Sequence, residues 1–99
     1  MARLTWSPRA AGDLEDICQY LGRTSDSYAR AFAGRVIALV ETIPRQPRAG
    51  AIVPEYDRDD IRERLVQNYR VIYRLQGEDV QIVSICHGAR LLPPNPPGV

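Results

Sequence analysis

Residues 61–86 read IRERLVQNYRVIYRLQGEDVQIVSIC, and this stretch decides the fold. Ile61–Val66, Tyr69–Leu75 and Val80–Cys86 are rich in β-branched and aromatic residues, the composition of strands. Gln67-Asn68 and Gln76-Gly77-Glu78 fall where turns are needed, so three consecutive antiparallel strands are expected. The last of them is apolar on both parities (Val80, Ile82; Val83, Ile85), which places it inside the sheet and not at an edge. The turn length at 67–68 decides where the arginines point. With a three-residue turn over Val66–Asn68, Arg64 faces Arg70, and Arg62, Arg64, Arg70 and Arg74 share one face. With a two-residue turn, Arg62 and Arg64 move to the opposite face and the cluster dissolves. Tyr69, Val71 and Tyr73 face away from Arg70 in either case.

Working back from this sheet, the pattern changes to a helical period. Ala29, Phe32, Ala33, Val36, Ile37, Val40 and Ile43 form one apolar stripe that starts near Ser25 or Asp26 and stops at Pro44. An earlier helix runs from Pro8, with Ser7 as its cap, through Leu14, Ile17, Cys18 and Leu21 to Gly22. Asp13, Glu15 and Asp16 in its early turns suit the positive end of the helix dipole. The short link Gly22-Arg23-Thr24 makes the two helices an antiparallel hairpin. Leu4-Thr5-Trp6 reads as a short opening strand. Residues 44–60, punctuated by Pro44, Pro47, Gly50 and Pro54, are expected to be one long irregular segment. The expected fold is therefore α+β with the order β-α-α-β-β-β: a mostly antiparallel sheet with a helical hairpin on one face and the other face left open for something else.

The 99 residues suffice for one domain, expected over 1–92, with 93–99 as a flexible proline-rich tail. A formal net charge of +1 lacks the basic excess that marks most nucleic-acid binders. All 13 basic residues are arginine, which binds anions bidentately but does not titrate, so any proton transfer must use other groups. Cys18 and Cys86 are too few for a disulfide scaffold and wrongly spaced for zinc, and two buried free thiols are expected. There is no apolar leader at the N-terminus and no stretch long enough to span a membrane, so a cytoplasmic protein is expected. No Gly-rich phosphate loop, nucleophile elbow or metal-ligand spacing occurs, and neither cofactor nor metal is expected. The groups able to move a proton near neutrality are His87, at the end of the last strand, and Glu55, in Val53-Pro54-Glu55.

The order and wording of these segments resemble the RelE/ParE toxin superfamily. The pieces are Trp6-Ser7-Pro8, Asp13-Leu14, Ile17 and Tyr20; Val53-Pro54-Glu55; Ile61-Arg62-Glu63; Asn68-Tyr69-Arg70-Val71-Ile72-Tyr73-Arg74; and Ile85-Cys86-His87-Gly88-Ala89-Arg90. The resemblance implies a toxin of a type II toxin–antitoxin system, bound as a hetero-oligomer by a cognate antitoxin protein. Its target would be DNA gyrase, as in ParE-like members, or the ribosome and its mRNA, as in RelE-like endoribonucleases. The terminal His-Gly-x-Arg wording is closer to the gyrase branch. For a nuclease the resemblance implies Arg70, His87 and Glu55 as catalytic residues. For either target it implies a binding surface of Arg62, Arg64, Arg70, Arg74, His87 and Arg90.

Overall fold

The computed structural model describes residues 2–96. The elements follow the expected order with one short strand, β2, added: β1 (Leu4–Trp6), α1 (Pro8–Gly22), α2 (Asp26–Thr42), β2 (Ala51–Ile52), β3 (Ile61–Val66), β4 (Tyr69–Gln76) and β5 (Asp79–His87). The strands form one mixed sheet in the order β1-β5-β4-β3-β2. β1 runs parallel to β5 and the other neighbours are antiparallel. As its two-sided apolar pattern required, β5 is paired on both sides.

Both helices start where their caps stand. The Ser7 hydroxyl accepts from the Ala10 N–H at 3.0 Å, and that of Ser25 accepts from the Tyr28 N–H at 3.2 Å. From α2, Phe32, Val36 and Val40 pack onto Val71, Tyr73, Val80, Ile82 and Ile85 of the sheet, with Ala10, Leu14, Ile17 and Leu21 of α1 alongside. Asp13 departs from its expected role. Its carboxylate turns to the sheet and accepts from the Ser84 hydroxyl (3.1 Å) and the Ile85 N–H (3.0 Å). It meets β5 next to the register shift opposite Ile72 and Tyr73, where the ladder is irregular and needs an outside acceptor.

Two expectations need correction. The segment 44–60 is not one irregular stretch: it holds single 3₁₀ turns at Ile43–Arg45 and Pro47–Ala49, followed by β2. Nor is the second face of the sheet open. Val53, Ile61, Ile72, Val83 and Cys86 form a second buried cluster there, with Tyr56 and Leu92 packed against it. The reason lies in β3 to β5, whose apolar residues on that parity need cover, and the chain supplies it from residues 53–56 and 92. The returning segment is pinned closely at Gly50, where a Cβ would overlap the Tyr73 hydroxyl and come 2.8 Å from the Glu63 carbonyl oxygen. The Tyr73 hydroxyl also donates to the Pro47 carbonyl at 2.7 Å. Within the expected tail, the Pro93 carbonyl accepts from the Tyr56 hydroxyl at 2.9 Å, and residues 97–99 lie outside the described residues. Cys86 is buried, whereas Cys18 is only half-buried, and both are free thiols. Among the described residues no helix is long and apolar enough to cross a membrane.

Candidate functional site

The β3–β4 turn is the two-residue one. Val66 pairs with Tyr69, so Arg62 lies opposite Tyr73 and Arg64 opposite Val71. Side chains of opposed residues share a face, so Arg62 and Arg64 project on the helix side and Arg70 and Arg74 on the other. The four-arginine face expected from the longer turn is therefore not formed. Glu63 takes the place beside Arg70 that two like charges would have contested.

Arg70 is 7% exposed and fully engaged. Its two terminal nitrogens donate to both oxygens of Glu55, at 2.6 and 2.8 Å, and its Nε donates to Glu63 at 2.5 Å. Bidentate, charge-assisted pairing of this kind is the strongest that an arginine makes. It holds the Glu55 carboxyl down to about 2, against an ordinary 4.5, and pushes the guanidinium still further up. A carboxylate held so low is a poor proton acceptor at neutral pH. Glu55 reaches Arg70 because the segment after β2 folds over the sheet, with Val53 fully buried beneath it.

His87 lies next to this pair in sequence register but on the opposite side of the sheet. Arg70 is paired with Cys86 and Tyr69 with His87, consecutive positions whose side chains alternate. The imidazole meets the Tyr69 ring edge-on at 5.4 Å, and Tyr69 meets Phe32 of α2 at 5.0 Å, so His87 ends an aromatic row on the helix side. Its Nδ1 accepts from the Ala89 N–H at 3.1 Å. The structure thus brings Glu55 and Arg70 together and keeps His87 away from both.

The remaining arginines divide by what they hold. Arg62 staples the returning segment: it donates to the carbonyls of Arg48 (3.1 Å), Gly50 (3.0 Å) and Asp59 (3.1 Å) and to the Asp59 carboxylate (2.7 Å). Asp59 also pairs with Arg48. The buried Nε of Arg74 lies 3.9 Å from Asp60, which Arg58 already holds with two hydrogen bonds, and it has no hydrogen-bond partner among the described residues. Arg64 is half-buried, and Arg90 is exposed just beyond β5. Sequence reasoning assigned Asp13 only to the helix dipole and to the family wording, and gave Glu63 no site role. An acid inside an apolar helical stripe is a usable signal for the first, but the second depended on the unknown register.

The domain thus carries a helical hairpin on one face of its sheet and an arginine-centred ion-pair knot on the other. The model of the ParE toxin of type II toxin–antitoxin systems, parDE, matches residues 4–92, and the chain belongs to this family. The chain is also similar to Toxin RelE2 of Caulobacter vibrioides, with 31% identity over 91 residues that cover 92% of this chain and all of that one. Its fold is that of a solved structure of the chromosomal ParDE system from P. aeruginosa, with a TM-score of 0.72 at 22% identity. That likeness covers 88% of this chain and 96% of the other.

Proposed function

We propose that this toxin acts on DNA gyrase in the cytoplasm and is neutralised by a cognate antitoxin protein that binds it as a hetero-oligomer. The observation that carries the choice of gyrase over mRNA is the separation of His87 from Glu55 and Arg70. Cleaving RNA requires a group that takes a proton from the 2′-hydroxyl and one that protonates the leaving oxygen. In this chain those tasks would fall to Glu55, His87 or a tyrosine, because guanidinium groups do not titrate in the usable range. Glu55 spends both oxygens on Arg70, and His87 stands on the other side of the sheet. Arg70, expected as a catalytic residue of a nuclease, already holds two carboxylates. A gyrase poison needs shape and charge but no proton relay. The antitoxin partner is supported by membership of a family of type II toxin–antitoxin toxins, and the fold shared with the P. aeruginosa ParDE structure agrees with it.

One feature favours the mRNA reading, namely that Glu55 and Arg70 are in direct contact. Purified toxin tested on gyrase and on a ribosome-programmed transcript separates the two readings. We expect gyrase supercoiling to be inhibited, transcripts to stay intact, and the His87→Ala variant to remain active. Loss of a general acid or base typically costs about 10²- to 10⁴-fold in rate. Ribosome-dependent cuts in mRNA that vanish on His87→Ala, with gyrase unaffected, would make this chain an endoribonuclease.

A further inference from the structure

Between the first turn of α1 and the segment that follows β5 lies a cavity of about 250 Å³, separate from the Arg70 ion-pair knot. Two arginines flank it, Arg9 from α1 and Arg90 from beyond β5, and among the described residues no carboxylate lines it. Neither cation has a close, hydrogen-bonded carboxylate partner among the described residues. The Arg9 Nε is 3.9 Å from Asp13, and the nearest oxygen of that carboxylate is already taken by the Ser84 hydroxyl and the Ile85 N–H. Among the described residues Arg90 forms no ion pair, and its backbone N–H ties the segment to the His87 carbonyl at 3.0 Å. Ser84 and Cys86, both buried, also line the cavity. Leu91 and Leu92 supply an apolar wall, and Leu91 is 92% exposed, a large hydrophobic side chain with nothing on it.

We infer that this cavity receives an acidic side chain, flanked by an apolar residue, from a protein partner of the toxin. Two cations converging on a small cleft select a carboxylate or a phosphate. Three observations favour the peptide carboxylate over a nucleic-acid phosphate. The leucine wall has no counterpart on a sugar–phosphate backbone but matches an aliphatic neighbour in a peptide. The cavity, at about 250 Å³, has room for an acidic side chain together with an aliphatic neighbour. A chain of net charge +1 also gains little from the counterion release that drives binding to a polyanion. The inference does not depend on which macromolecule the toxin attacks.

The test uses full-length toxin and NMR of the arginine Nε–Hε groups, titrated with Ac-Leu-Glu-Leu-NH₂, with Ac-Leu-Gln-Leu-NH₂ and with octathymidylate. The glutamate peptide should shift the Arg9 and Arg90 signals with saturation, and the glutamine peptide should bind at least about tenfold more weakly, the cost of one charge-assisted hydrogen bond. The Arg9→Gln/Arg90→Gln variant, shown folded by an otherwise unchanged amide spectrum, should lose the response to the glutamate peptide by a similar factor. Equal responses to the two peptides, no response from either arginine, or saturation by octathymidylate at lower concentration would each overturn the inference.

Discussion

Arg70 illustrates how a residue type that suggests a ligand site can be spent inside the fold. A surface arginine replaced by alanine usually changes stability by only about ±0.5 kcal/mol. Arg70 is different because its removal strands Glu63, whose side chain is 14% exposed, beside a second carboxylate that loses its partner. Breaking a buried ion pair from one side leaves an uncompensated charge. We expect Arg70→Ala to cost about 2–3 kcal/mol, at the lower end for such pairs because Glu55 can rehydrate. A lower urea midpoint with an unchanged slope would show it, and a change below about 0.5 kcal/mol would mean that the ion-pair knot is not structural. Any loss of toxicity in this variant then has to be read against its folded fraction. The sequence marked Arg70 and Glu55 separately as site residues. Nothing in it placed one on the other, since Glu55 sits fifteen residues away in a segment without periodicity.

At the level of elements, the helices and the three long strands were legible because their signals are local. Ser7 and Ser25 cap where expected, and Ile61–Val66 and the start of β4 at Tyr69 fall on the expected residues. The hairpin register was not legible. It turns on Gln67 adopting a φ of 54°, a conformation that glutamine seldom takes and does not announce. The Tyr28 hydroxyl donating to the Gln67 side chain at 2.6 Å is a tertiary contact that helps to hold it. β2 was illegible for a similar reason: two residues show no period, and the side chain of Arg62 fixes the backbone around them. The join between α1 and β5 carries a prediction. Asp13→Ala leaves the buried Ser84 hydroxyl and Ile85 N–H without their acceptor, at a cost of about 1–3 kcal/mol. Asp13→Asn keeps an acceptor oxygen and should lose less. Thermal unfolding ranks the two variants, and faster hydrogen exchange at Ile85 locates the damage. Equal stability of Asp13→Ala and the parent would refute the assignment.

The whole molecule is a sheet covered on both sides, by the helical hairpin on one and by the 53–60 segment with Leu92 on the other. The second cover is fastened by ion pairs as well as by apolar packing, so it is the acid-sensitive side. The Glu55 carboxyl is held at about 2 in the folded chain, below its ordinary 4.5, mainly by its hydrogen bonds to Arg70. A depressed acid stabilises fully above its unfolded value, and that contribution fades as pH falls toward the folded one. Asp59, lowered by Arg48 and Arg62, acts in the same direction. The melting temperature should therefore fall as pH drops from about 4.5 to about 2. Glu55→Gln should flatten part of that slope, and a variant as acid-sensitive as the parent would show that the linkage lies elsewhere.

The parallel pairing of β1 with β5 carries a consequence for when the toxin comes into being. The Arg3 N–H donates to the side chain of Asp79, 76 residues further on, whereas β3, β4 and β5 join their neighbours through two-residue turns. Contacts between distant parts of a chain pay loop-closure entropy before they return anything, so the hairpins are expected to form early and the opening strand to dock last. During synthesis β1 and the helices emerge first, yet the strand they must lie against has not been made. The nascent chain is therefore expected to pass most of its translation without a closed sheet, and the docking of β1 to complete the toxin only after β5 has been made.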